Sequence, residues 1–210
     1  MKFRTVAIAG LGAAALSGCH HAGDIVVEEG VGITALRSVC PAVGIPDYTG
    51  NITLFNPPEA RTADAIDVTA TMFDVRMTCN DSGAKVYSVA NFLVLGLRRD
   101  THGARSVTLP YFTTVVRGGD TVVAKRIGMV TLNFADGQAG AEGTGAGGAY
   151  IDRAAATLPD AIKERITRKR KSGEAEAAVD PLAEPDVRAA VNNATFEVLV
   201  GFQLTDDQLK

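Results

Sequence analysis

The sequence predicts a mainly β fold, two antiparallel sheets packed as a sandwich, and three observations carry that expectation. β-Branched runs recur at roughly even spacing between about residues 33 and 134, turn-forming Gly, Pro, Asn and Asp bound each run, and apolar and polar residues alternate within them. Strands punctuated in this way suit an immunoglobulin-like or fibronectin-like sandwich, although the chain has no Trp to mark a true immunoglobulin domain.

Each run can be justified in turn. Asn51 to Phe55 ends at Asn56-Pro57-Pro58, Ile66 to Cys79 at Asn80-Asp81-Ser82-Gly83, and Lys85 to Arg98 at Asp100-Thr101-His102-Gly103. Ser106 to Arg117 and Thr121 to Phe134 flank Gly118-Gly119-Asp120, the spacing of a tight hairpin. Ile66, Val68, Ala70 and Met72 share one strand face, but Phe73, Val75, Met77 and Cys79 continue in the opposite parity, so a β-bulge or a crossing between sheets is expected there. Pro110 cannot donate to a ladder and so predicts an edge strand or a bulge. Its neighbours Tyr111 and Phe112 then pack in the core, the favoured placement, or lie on an edge open to β-augmentation by another chain.

After Phe134 the pattern changes. The Gly/Ala-rich stretch from Gly137 to Gly148 is expected to be a flexible loop, because no Val- or Ile-rich strand precedes its glycines. Pro159, Ile162 and Ile166 predict an amphipathic helix beginning near Leu158. Its end is strongly basic: Arg165, Arg168, Lys169, Arg170 and Lys171 complement a helix dipole, or alternatively meet anionic headgroups or an acidic partner. Ser172 to Pro185 reads as a linker, Pro185 to Val191 as a short helix, and Thr195 to Leu204 as a strand returning to the sandwich. On this reading residues 33–210 form one domain, with a Gly-rich loop and helical insertion at about 137–193.

The first residues concern location. Lys2 and Arg4 precede an apolar run from Val6 to Leu16, followed by Ser17-Gly18-Cys19. This is the pattern of a secretory signal, and the run is far shorter than the ~20 residues a membrane helix needs. Leu16-Ser17-Gly18-Cys19 resembles the bacterial lipobox. The resemblance implies cleavage after Gly18, acylation of Cys19, a signal peptide at 1–18 and a tether at 19–32. With His20 rather than Asp after the Cys, it further implies an outer-membrane lipoprotein facing the periplasm, its partner surface the membrane through the N-terminal lipid. If Cys19 carries lipid, Cys40 and Cys79 remain, and an even pair in an oxidising compartment most simply forms one disulfide; the alternative, a redox or metal site, lacks a CxxC.

Composition narrows function. Removal of the leader leaves 19 basic against 24 acidic residues, which argues against nucleic-acid binding, and 4 Tyr with 8 Phe offer little stacking surface. No P-loop occurs, and the glycine fingerprint at Gly10-Leu11-Gly12 lies in the leader, so no cofactor is implied. His102 sits in a turn, and Asp64, Asp67 and Asp74 do not have the spacing of a calcium loop. The sequence therefore points to a non-enzymatic envelope protein-interaction or assembly subunit, with a small-ligand carrier or envelope sensor as the alternative. Cys19→Ala should move the full chain from the membrane fraction to the soluble fraction of lysed cells, as followed by immunoblot.

Overall fold

The computed structural model describes residues 38–169 and 179–209; Cys19, Arg170 and Lys171 lie outside them, as do the leader and tether. Period-two alternation between apolar and polar residues lays the chain into eight strands: β1 (Ala42–Gly44), β2 (Asn51–Phe55), β3 (Ile66–Asn80), β4 (Lys85–Arg98), β5 (Arg105–Arg117), β6 (Thr121–Phe134), β7 (Gly140–Asp152) and β8 (Phe196–Phe202). Between β7 and β8 come α1 (Arg153–Ala156), α2 (Asp160–Thr167) and α3 (Pro185–Ala194). Two four-stranded sheets result, with orders β1-β8-β5-β6 and β2-β3-β4-β7. All neighbours are antiparallel except the short parallel pair β1 and β8. The fold is thus a β-sandwich with helices before the last strand.

The core lies between the sheets. Val68, Val86, Phe92 and Val94 from one sheet meet Leu109, Leu132, Phe134, Val198, Val200 and Phe202 from the other, all almost wholly buried. At ~1.5 to 3 kcal/mol for each large apolar side chain, this layer dominates folding. The parity slip in β3 is a bulge: Phe73 pairs with Leu93 but Arg76 pairs with Asn91, so one extra residue is inserted, and Asp74 takes a positive φ of 50° there. Beyond it Val75, Met77 and Cys79 turn toward the core.

The Gly-rich stretch is a strand and not the expected flexible loop. Gly140–Asp152 pairs along its whole length with β4, from Leu97 opposite Gly140 to Lys85 opposite Asp152. The reason is steric. A Cβ at Gly145 would lie 2.1 Å from the Phe92 ring, one at Gly147 1.9 Å from the Thr113 hydroxyl, and one at Gly143 2.9 Å from Val130. Glycine leaves room for the facing sheet to approach, and Tyr111 crosses the gap to donate its hydroxyl hydrogen to the Ala146 carbonyl at 2.7 Å. The excursion between β7 and β8 is therefore shorter than expected, beginning at α1.

Both ends of the sandwich are fastened. At one, the Cys40–Cys79 disulfide ties the segment before β1 to the end of β3, and Arg117 donates to the Asn193 carbonyl ahead of β8. At the other, the buried Arg98 guanidinium donates to the carbonyls of Thr101, Gly103, Ala135 and Gln138, holding together the β4–β5 and β6–β7 loops that cross between the sheets, over the Phe134 ring. Beside it Arg105 on β5 grips Asp67 on β3 with two bonds of 2.7 and 2.6 Å, linking the two sheets.

Two outcomes follow from these contacts. Gly147→Val should lower the denaturant midpoint by an amount equivalent to about 1 to 3 kcal/mol or more, because the added methyls must displace Thr113. The Arg105 guanidinium holds the Asp67 carboxyl below its ordinary range. A depressed folded-state value gives stability that is full above the unfolded carboxylate range near pH 4 and is lost as pH falls through the folded value. In urea titrations the advantage of wild type over Asp67→Asn should be constant from pH 7 to 5 and shrink below pH 4.

Candidate functional site

The residues singled out in the sequence separate into three groups. Tyr111 points inward and is buried, its ring edge-on to Phe92 at 4.9 Å, so it belongs to the core. Pro110 and Phe112 point outward and are half-buried. Pro110 is not on an edge strand, because β5 is flanked by both β6 and β8. The missing N–H is tolerated for a local reason. Pairing of β5 with β8 begins only at Tyr111 opposite Phe202, and the Pro110 carbonyl accepts from Gln203 just past the end of β8, so the proline marks the end of that ladder.

The edge strand beside Pro110 is β6. It pairs with β5 on one side only, placing Met129 opposite Pro110 and Ile127 opposite Phe112. Ile127 is 55 % exposed and Met129 65 %, and Lys125 sits 5.2 Å from the Phe112 ring centre. Val122 and Val123 extend the exposed apolar surface toward the hairpin. Pro110, Phe112, Ile127 and Met129 thus form an apolar patch flanked by Lys125, along a strand whose outer backbone edge has no neighbouring strand among the described residues. Such an arrangement can receive an extended chain or an apolar face bordered by acidic groups. Sequence reasoning missed Ile127 and Met129, although their outward parity in β6, between polar Lys125 and Thr131, was readable.

In the basic helix Arg165 has partners within the chain. Arg165 on α2 bonds Asp186 on α3 at 2.5 Å and also pairs with Glu184 just before it, and these carboxylates hold its guanidinium strongly protonated. It is a clasp between two helices, and Asp186 is correspondingly held below the ordinary carboxylate range by the same contact. Arg168 and Lys169 follow the helix C-terminus and are exposed.

The histidine singled out in the sequence lies at the surface. His102 is exposed and its Nδ1 lies 2.7 Å from Asp100, whose carboxylate also accepts the His102 backbone N–H, the geometry of an Asx-type turn. These bonds hold Asp100 below its usual range. Among the described residues no group of three or more His, Cys, Asp or Glu is placed to hold a metal ion, and no helix is long and apolar enough to cross a membrane. A groove of about 1180 Å³ runs between β2 and the C-terminal turn, lined by Tyr48, Leu54, Phe55, Arg61, Leu204 and Gln208 among others.

No protein-family model, no curated protein and no solved structure matches the chain.

Proposed function

We propose that the protein is a lipid-anchored, non-enzymatic subunit of the bacterial envelope, held at the outer membrane by acylated Cys19, that docks a protein partner on the β5–β6 face. The observation that carries this reading is the joining of an apolar patch to a free strand edge: Phe112, Ile127 and Met129 lie on the outer face of β5 and β6, and β6 ends its sheet. A solvated outer face in an antiparallel sheet is ordinarily polar, so large apolar side chains there mark a surface that is covered in use. Main-chain bonds along β6 would supply affinity, and the Phe112, Ile127 and Met129 side chains selectivity. Lys125, over the Phe112 ring, favours a partner segment carrying an acidic residue.

A second reading, a small-ligand carrier or envelope sensor, draws its support from the groove beside β2, which is large enough to admit a small ligand. It is the weaker reading, because the space between the sheets is filled by Phe92, Phe134 and Phe202 and the groove lies open at the surface.

The test is crosslinking in cells of the tagged full chain, followed by mass spectrometry, with Ile127→Asp/Met129→Asp as the comparison. A stoichiometric envelope protein captured by wild type and reduced at least ten-fold in the double variant is the expected result. Equal capture by both forms would overturn the β5–β6 assignment, and a co-purifying small molecule without a protein would transfer the function to the groove.

A further inference from the structure

The opposite sheet presents a second apolar face, and its shape differs from the first. On β4 the outward positions are Lys85, Tyr87, Val89, Asn91, Leu93, Leu95 and Leu97, so five of the seven are apolar. Leu95 is 40 % exposed and Leu97 53 %. The rows on either side mix small residues with a few larger ones. The β7 row opposite Leu97, Leu93, Asn91, Val89 and Tyr87 reads Gly140, Thr144, Ala146, Gly148 and Tyr150, with Glu142 opposite Leu95, and the β3 row reads Thr69, Thr71, Phe73, Arg76 and Thr78. Leu97 comes within 3.7 Å of where a Gly140 Cβ would stand, and the Tyr87 hydroxyl within 3.4 Å of the same point at Gly148. Tyr87 also stacks on Tyr150, with ring centres 4.6 Å apart. Large side chains therefore recline over glycines, and the face is a flat apolar plateau with threonines along one border.

We infer that this plateau is the contact between two copies of the chain, packed sheet on sheet about a two-fold axis. The area fits a stable pair. Fourteen residues of β4 at ~3.4 Å each, across three strands each ~4.8 Å wide, give a face of about 690 Å². Two such faces remove roughly 1,400 Å², above the lower limit of about 1,200 Å² for a specific stable interface. A flat face meets its own copy without needing a matching cleft, which is the requirement of an isologous contact. The charges at its margins are compatible with closure, since Lys85 is paired with Asp152 at 3.6 Å and Arg76 with Asp74 at 2.7 Å inside one chain, and Glu142 stands on the edge strand β7, where its carboxylate can keep its water. An apolar centre with a polar border is the anatomy of such interfaces. The face lies on the sheet opposite β5 and β6, so a pair formed through it leaves the proposed partner surface free.

Sedimentation equilibrium of the full chain carrying Cys19→Ala tests this without bound detergent. The expected mass is twice that of the chain, with a dissociation constant in the micromolar range. Leu95→Arg should weaken it at least ten-fold, while Ile127→Arg on the other sheet leaves it unchanged. Circular dichroism and the thermal midpoint of the variants separate loss of pairing from loss of fold, and Leu97→Arg provides a second variant at a more exposed position. A monomeric mass at 100 µM would overturn the inference. So would assemblies larger than two, or a dimer insensitive to both leucine variants.

Discussion

The inward row of β7 sets how closely the two sheets approach. Ala141, Gly143, Gly145, Gly147 and Ala149 carry almost no side chain into the interface, so the aromatic and branched residues that meet them fill space β7 leaves open. Glycine in a strand is unfavourable in isolation, because it loses most conformational freedom and packs nothing of its own. Here the loss is offset by Phe92 lying across Gly145, Thr113 against Gly147 and Tyr111 reaching the Ala146 carbonyl. The edge strand is bound to the core through its neighbours' side chains, and the same device recurs where Tyr111 covers Gly128 on β6 and Leu132 covers Gly96 on β4.

With the sheets that close, the ends need fastening more than the middle does. Buried charge is costly unless fully bonded, and Arg98 meets that condition with four carbonyl acceptors drawn from two loops. The helical segment between β7 and β8 is joined in the same manner, by Arg165 bridging α2 to Glu184 and Asp186, and Val187 of α3 is wholly buried. Charged side chains thus organise loops and helices around a core that is itself apolar. The two outer faces remain, and each carries more apolar area than a solvated sheet ordinarily shows.

Most strands were legible because alternation and turn residues agree over long stretches: Lys85 to Arg98 and Thr121 to Phe134 match β4 and β6 at both boundaries, and the parity slip at Met72 and Phe73 located the bulge. The helix at Ile162 and Ile166 and the returning strand were readable for the same reason. The glycine strand was not, since its stability comes from neighbours distant in sequence and local propensity opposes it. Pro110 misled because the rule confining proline to edges concerns the ladder it faces, and here that ladder simply ends. The order of strands depends on non-local pairing and left no local trace. On the β5–β6 face, Pro110 and Phe112 were visible as an aromatic site beside a proline. The plateau of β4 was missed because outward apolar residues in a strand look, in sequence, like residues buried on both faces, whereas at Ile127 and Met129 the polar Lys125 and Thr131 in the same row marked the face as outward.

The disulfide has a mechanical meaning. The described chain begins two residues before Cys40, and β1, which follows it, is a parallel pair of only three residues. Tension pulled along the N-terminal segment would peel so short a strand from β8. The covalent bridge diverts that load to Cys79 and into β3, fifteen residues long and paired with β2 on one side and β4 on the other. A chain tugged from its front end is thus held by its longest strand, and the sheet edge where the pull arrives bears little of it.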